Sequence, residues 1–171
     1  MKHLKTYESF KDNSKLIKKL EEFNIKNYTI NIDGTIDVEG SVYLHNRELT
    51  KIPFKFGKVT REFDCSNNMI TSLEGCPREV VGNFTCSVNL LKNLIGGPQE
   101  VGDCYYCYGN ELESLEGCAG DIGGSLYCRN NYLEMLDCSS VINGSIDCIG
   151  NQFKEEPEFF GVCGGKIIWE K

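Results

Sequence analysis

The sequence predicts a solenoid built mainly of short parallel β-strands and sealed at its N-terminal end by an amphipathic helix and a β-hairpin. Three observations lead there. Cys65, Cys86, Cys107 and Cys128 stand 21 residues apart and Cys148 follows after 20, and a fixed period of about 20 to 29 residues marks stacked repeats. Around each cysteine one frame recurs, with an apolar residue two positions before (Phe63, Phe84, Tyr105, Leu126, Ile146), an Asn three after (Asn68, Asn89, Asn110, Asn131, Asn151) and an apolar residue five after (Ile70, Leu91, Leu112, Leu133, Phe153). The third observation is the cysteine content itself: 10 in 171 residues is too sparse for a secreted disulfide scaffold, so thiols that keep the period of the chain call for a packing explanation.

Taken from the N-terminus, residues 1–12 read as a flexible leader, 13–38 as the cap and 39–171 as a solenoid of about six to seven rungs. Ser14 or Asn13 serves as N-cap for a helix from Lys15 to Phe23, in which Leu16, Ile17, Leu20 and Phe23 share one face and Lys18, Lys19, Glu21 and Glu22 the other. Next, Tyr28, Ile30, Ile32, Ile36 and Val38 alternate around Asp33-Gly34-Thr35. A three-residue loop there pairs Ile32 with Ile36 and Ile30 with Val38 on one face, whereas a two-residue Asp-Gly turn sends them to opposite faces, so the three-residue loop is expected.

Within each rung, strand alternation sends the cysteine and the residue two before it inward, and the residues on either side of the cysteine outward. The inward set is apolar in every copy. A buried thiol acts as a compact hydrophobe, so the cysteine column is expected to be core and inert. The Asn column turns the chain after each strand and hydrogen-bonds the backbone of its own and the neighbouring rung. Gly82, Gly102, Gly123 or Gly124, and Gly144 precede the strands where a tight bend needs an unhindered backbone. Counting outward by the period adds Leu44 and Trp169, for seven strand positions in all. Arg47 stands where the first Asn should be, and such degenerate ends are usual in solenoids.

Written out, Phe84-x-Cys86-x-x-Asn89-x-Leu91-x-x-Leu94 resembles the leucine-rich repeat, and the Leu73-Glu-Gly-Cys-Pro77 phrase together with the short period is most similar to its 20–21-residue bacterial type. The resemblance covers about residues 36–169. It implies parallel strands on a concave face, irregular return loops, and recognition of another macromolecule by that face. At the start, Lys5-Thr6-Tyr7-Glu8-Ser9-Phe10 resembles a short segment near the N-terminus of some proteins packaged by tailed bacteriophages, which implies a phage origin and action in the virion or the host cytoplasm.

On the outward strand positions Tyr106, Tyr108, Tyr127 and Arg129 come from adjacent rungs, with Tyr43 and Ile149 further along the same rows. Tyr and Arg gathered in a shallow surface are the side chains that dominate binding hot spots. These six residues are the candidate partner-binding set. The net charge is −7, and beyond residue 26 acidic side chains outnumber basic ones 21 to 11, so the repeats repel phosphate backbones and favour a protein partner with a basic patch over nucleic acid. No catalytic residue, metal site or cofactor is expected. The two histidines, His3 and His45, lie at no interpretable offset from a nucleophile, and Cys104-Tyr-Tyr-Cys107 on a strand points its thiols to opposite faces. Calcium-binding spacings are also lacking. No secretory signal or membrane span is read, so the expectation is a protein of the cytoplasm, with oligomeric state left open.

Overall fold

The computed structural model describes residues 14–170; the leader, the Lys5–Phe10 segment and the Asn13 cap position lie outside them. A helix, α1, spans residues 14–22. It ends in a Schellman arrangement, with Asn24 in the left-handed region (φ 56°) and the Ile25 N–H donating to the Leu20 carbonyl at 2.9 Å. Leu20 is fully buried and Leu16 and Phe23 pack on the same core, while Ile17, expected on that face, stays 38% exposed at its margin. The helix is fastened to the first rung by an edge-on contact of Phe23 with Phe54 and by Lys19 Nζ donating to the Pro53 carbonyl at 2.9 Å. Arg47, the break in the Asn column, lays its guanidinium over Phe23, 4.9 Å from the ring centre. The first rung thus trades its turn ladder for a cap contact.

After the helix, β1 (Tyr28–Ile30) and β2 (Ile36–Val38) form the antiparallel hairpin. Its register differs from the expected one. Ile30 faces Ile36 and Tyr28 faces Val38, with Asn31 and Thr35 closing the loop and Ile32 left fully exposed in it. The reason is local: the Asp33 carboxylate accepts from both the N–H and the hydroxyl of Thr35, at 3.0 and 2.7 Å, which holds its pKa below the usual value and moves the turn one residue toward the N-terminus.

The remaining strands alternate between two sheets. One continues β2 through β4 (Phe56–Val59), β6 (Glu79–Val80), β8 (Glu100–Val101), β10 (Asp121–Ile122), β12 (Val141–Ile142) and β14 (Val162–Cys163). The other stacks β3 (Val42–Tyr43), β5 (Phe63–Asp64), β7 (Phe84–Thr85), β9 (Tyr105–Tyr106), β11 (Leu126–Tyr127), β13 (Ile146–Asp147) and β15 (Ile167–Ile168). Every rung-to-rung pairing is parallel and follows the sequence period, as in Phe84↔Tyr105 and Leu126↔Ile146. The chain is therefore a mainly β, parallel-stranded solenoid of about six turns.

The second of these sheets is the strand column expected from the cysteines, with all seven members present. The first sheet occupies what the sequence had assigned to irregular return segments. Its inward column is Val38, Val59, Val80, Val101, Ile122 and Ile142, all buried, with Cys163 as the partly buried seventh member. Between the sheets lie the cysteine column, fully buried from Cys65 to Cys148, and the Phe63, Phe84, Tyr105 rings. The third side is closed by Ile70, Leu73 and their repeats.

Each Asn binds as expected: Asn110 Nδ2 donates to the Cys86 and Cys107 carbonyls at 3.1 and 3.0 Å, and its Oδ1 accepts from Leu91 N at 3.2 Å. At the corner between the sheets the rungs approach so closely that a Cβ on Gly102 would collide with the Val81 carbonyl. A second ladder runs along this corner, where Cys104 Sγ accepts the Ser125 N–H at 3.3 Å and Ser125 Oγ accepts the Ser145 N–H at 3.0 Å. Gly97 interrupts the Cys76, Cys118, Cys138 positions for a packing reason. Tyr105 brings a hydroxyl to the ring column, and a Cβ on Gly97 would stand 3.1 Å from that oxygen.

Candidate functional site

The expected tyrosine cluster is assembled on the outer face of the seven-stranded sheet. β9 and β11 pair in register, Tyr106 opposite Tyr127, and their rings stack with centroids 4.7 Å apart and planes within 6°. In-register parallel strands impose this spacing, because the rung separation of about 4.8 Å falls within the roughly 4.5–7 Å between the centroids of offset-stacked aromatic rings. One residue past the cysteine, Arg129 lays its guanidinium over Tyr108 at 5.2 Å, a cation–π contact that holds both side chains. Arg129 Nη1 also lies 3.7 Å from Asp147 Oδ2. Tyr106, Tyr108 and Tyr127 are each partly exposed and Arg129 is exposed. The platform is consequently ordered before any partner arrives, and its side chains have little rotamer freedom left to lose on binding.

Tyr106 leans on Cys104 as well. Burial, and then the hydrogen bond with that thiol, push its phenol up to about 12, so the hydroxyl stays neutral at physiological pH. Cys104 faces outward at the corner while Cys107 is fully buried in the core, so the two thiols of the C-x-x-C point apart.

Two of the six candidates stand differently. Ile149 continues the row beyond Arg129 but is partly buried, its carbonyl accepting from Asn130 N at 2.8 Å. Tyr43 lies on β3, separated from β9 by β5 and β7, about 14 Å away at the rung spacing. It donates instead to Glu62 Oε2 at 2.9 Å, beside the contact of His45 Nδ1 with Asp64 Oδ2 at 3.0 Å. It is therefore not part of the aromatic platform. Ser66 and Ser87, read as outward from strand alternation, are buried. The strands end two residues earlier, at Asp64 and Thr85, so alternation stops before them, and at this place longer side chains such as those of His45, Tyr108 and Arg129 reach the surface.

Two further surfaces escaped the sequence reading. Outward positions of the other sheet place Glu79, Glu100 and Asp121 side by side on successive rungs, with Lys58 paired to Glu79 at 2.5 Å. On the return side a shallow groove is lined by Glu134, Met135, Glu155, Glu156, Glu158 and Phe160, with Met135 and Phe160 well exposed. The acidic row was legible as one carboxylate seven residues before each of three cysteines; the groove depends on how the last rungs fold back and has no local signature.

Among the described residues no three His, Cys, Asp or Glu side chains gather to hold a metal ion, and no helix is long and apolar enough to cross a membrane. No family model matches the chain, and neither a curated protein nor a solved structure shows significant similarity to it.

Proposed function

We propose that this solenoid is a non-enzymatic protein-binding module of leucine-rich-repeat type, working in the cytoplasm, whose Tyr106, Tyr108, Tyr127, Arg129 face receives a protein partner carrying a basic patch. The observation that carries the reading is the stacked Tyr106–Tyr127 pair with Arg129 held over Tyr108. Rigid aromatic and guanidinium groups concentrate binding energy because they bury large area at small entropic cost. Arg129 is already shared with Asp147, and the Asp103 carboxylate bears on Tyr106. The net charge of −7 adds a long-range attraction for a basic protein and a repulsion for nucleic acid.

The test is affinity purification from host lysate with the wild type and with a Tyr106→Ala, Tyr127→Ala double variant. Retention of a partner by the wild type and its loss, by tenfold or more, from the variant is the expected result. Equal recovery by both proteins removes the face from consideration. A role as a component of a phage particle is the second reading; it rests on the Lys5–Phe10 segment and is decided by whether the protein is found in purified virions.

A further inference from the structure

Eight of the ten cysteines are accounted for by packing or by backbone ladders: five in the core column, Cys76 in the core beneath β4, Cys163 in the valine column and Cys104 at the corner. Cys118 and Cys138 remain. They occupy equivalent places on successive rungs, each four residues before an isoleucine of the paired strands β10 and β12 (Ile122↔Ile142). Neighbouring rungs separate such positions by about 4.8 Å, within the roughly 4.4–6.8 Å that a disulfide spans between Cα atoms. Asp137 fixes the alignment, accepting from Leu115 N at 2.7 Å and from the Ser114 hydroxyl at 2.6 Å.

The Cys118 and Cys138 side chains lie within interaction range of each other and of Ser140. Both residues are partly exposed, whereas the core cysteines are sealed. Their surroundings pull them apart chemically. The interaction with Cys118, together with the hydroxyl and backbone of Ser140, outweighs burial and the nearby Asp137 charge and brings Cys138 down to about 7. Cys118, beside Cys138 and desolvated, is pushed well up. The core thiols Cys86, Cys107 and Cys128 are likewise raised, with burial the leading cause. A thiol lowered toward neutral pH beside one that is raised is the arrangement of a nucleophile and its resolving partner.

We propose that Cys118 and Cys138 form a peroxide-reactive dithiol site, with Cys138 as the nucleophile and Cys118 as the resolving thiol. The Cys138 thiolate attacks one oxygen of hydrogen peroxide, the O–O bond breaks, and, with one proton taken up, Cys138 sulfenic acid and water result. The Cys118 sulfur then attacks the Cys138 sulfur, the S–O bond breaks, and hydroxide leaves and takes the Cys118 proton as a second water. Two thiols are oxidised to one disulfide and one peroxide is reduced to two waters. The bond formed ties two adjacent rungs on the return side, away from the tyrosine platform.

The experiment exposes the folded full-length protein to equimolar hydrogen peroxide, quenches with an alkylating agent and maps the peptides. The expected product is a single disulfide joining the Cys118 and Cys138 peptides, reversed by a dithiol reductant, with the other eight cysteines recovered as thiols. In parallel, the rate of Cys138 alkylation is followed against pH; it is expected to rise with a midpoint near 7 in the wild type and to move up toward the ordinary thiol range in Cys118→Ala, whose sulfenic acid then persists long enough to be trapped. A disulfide that joins core cysteines, no disulfide at all, or a Cys138 profile indifferent to Cys118→Ala overturns the proposal. The wild-type mapping stands even where a variant folds poorly.

Discussion

Val88 sits two residues past a core cysteine, where the chain turns out of the strand in the left-handed region. Its neighbours at the same place in other rungs are Asn46, Asn67, Gly109, Asn130 and Gly150, all at φ between 51° and 70°, and Val88 shares it at 55°. Asn and Gly tolerate that conformation; a β-branched residue does not, and the steric cost is about 1–2 kcal/mol. Val88→Asn is therefore expected to stabilise the fold by about 1 kcal/mol, seen as a melting temperature higher by roughly 2–4 °C. A variant that melts at or below the wild type would show that the half-exposed valine makes contacts that offset its backbone strain. This column of Asn and Gly was written in the sequence beside the Asn ladder, yet only φ values distinguish a residue that needs the left-handed region from one that merely precedes a turn. The crowding at Gly97 was hidden in the same way: the sequence shows a glycine among cysteines, but the Leu73 side chain and the Tyr105 hydroxyl that crowd it come from neighbouring rungs.

At the level of elements, the N-terminal cap was legible because a helix of more than two turns carries its own 3.6-residue pattern. The hairpin was legible in kind but not in register, since Ile32 offers the same alternation whether it pairs or loops, and the decision falls to the bonds of Asp33 with Thr35. The second sheet went unread for a related reason: most of its strands have two residues, too few to show alternation, and β8 and β10 each appear only as one Val or Ile beside a carboxylate. The helix seals the exposed end of the first rung, so its anchor should matter more to that end than to the other. Leu20→Ala is expected to cost about 2–5 kcal/mol. Amide exchange should quicken first in β1 to β5 and last in β11 to β13, because each rung is stabilised chiefly by its neighbours. Uniform acceleration along the solenoid would mean that the cap is not a local device.

Across the whole molecule the repeat divides labour between two kinds of surface. Inward columns are nearly invariant in size and polarity because each rung must fit the one before it, which is why the period alone sufficed to place Cys65 through Cys148 in the core. Outward positions carry no such constraint, and the clustering of Tyr106, Tyr108, Tyr127 and Arg129 on two adjacent rungs is the part that stacking does not require. Tyr43 fell outside it because a row of outward positions, read from sequence, says nothing of how far along the solenoid its members lie. The most direct test is oxidative footprinting of the solenoid, alone and bound to the protein that copurifies with it. Protection is expected at Tyr106, Tyr108 and Tyr127, with Tyr132, Met135 and Phe160, exposed elsewhere on the solenoid, oxidised equally in both states. Undiminished oxidation of the three stacked-face tyrosines, with protection at Met135 and Phe160 instead, would contradict the strand face and move the binding site to the acidic return groove.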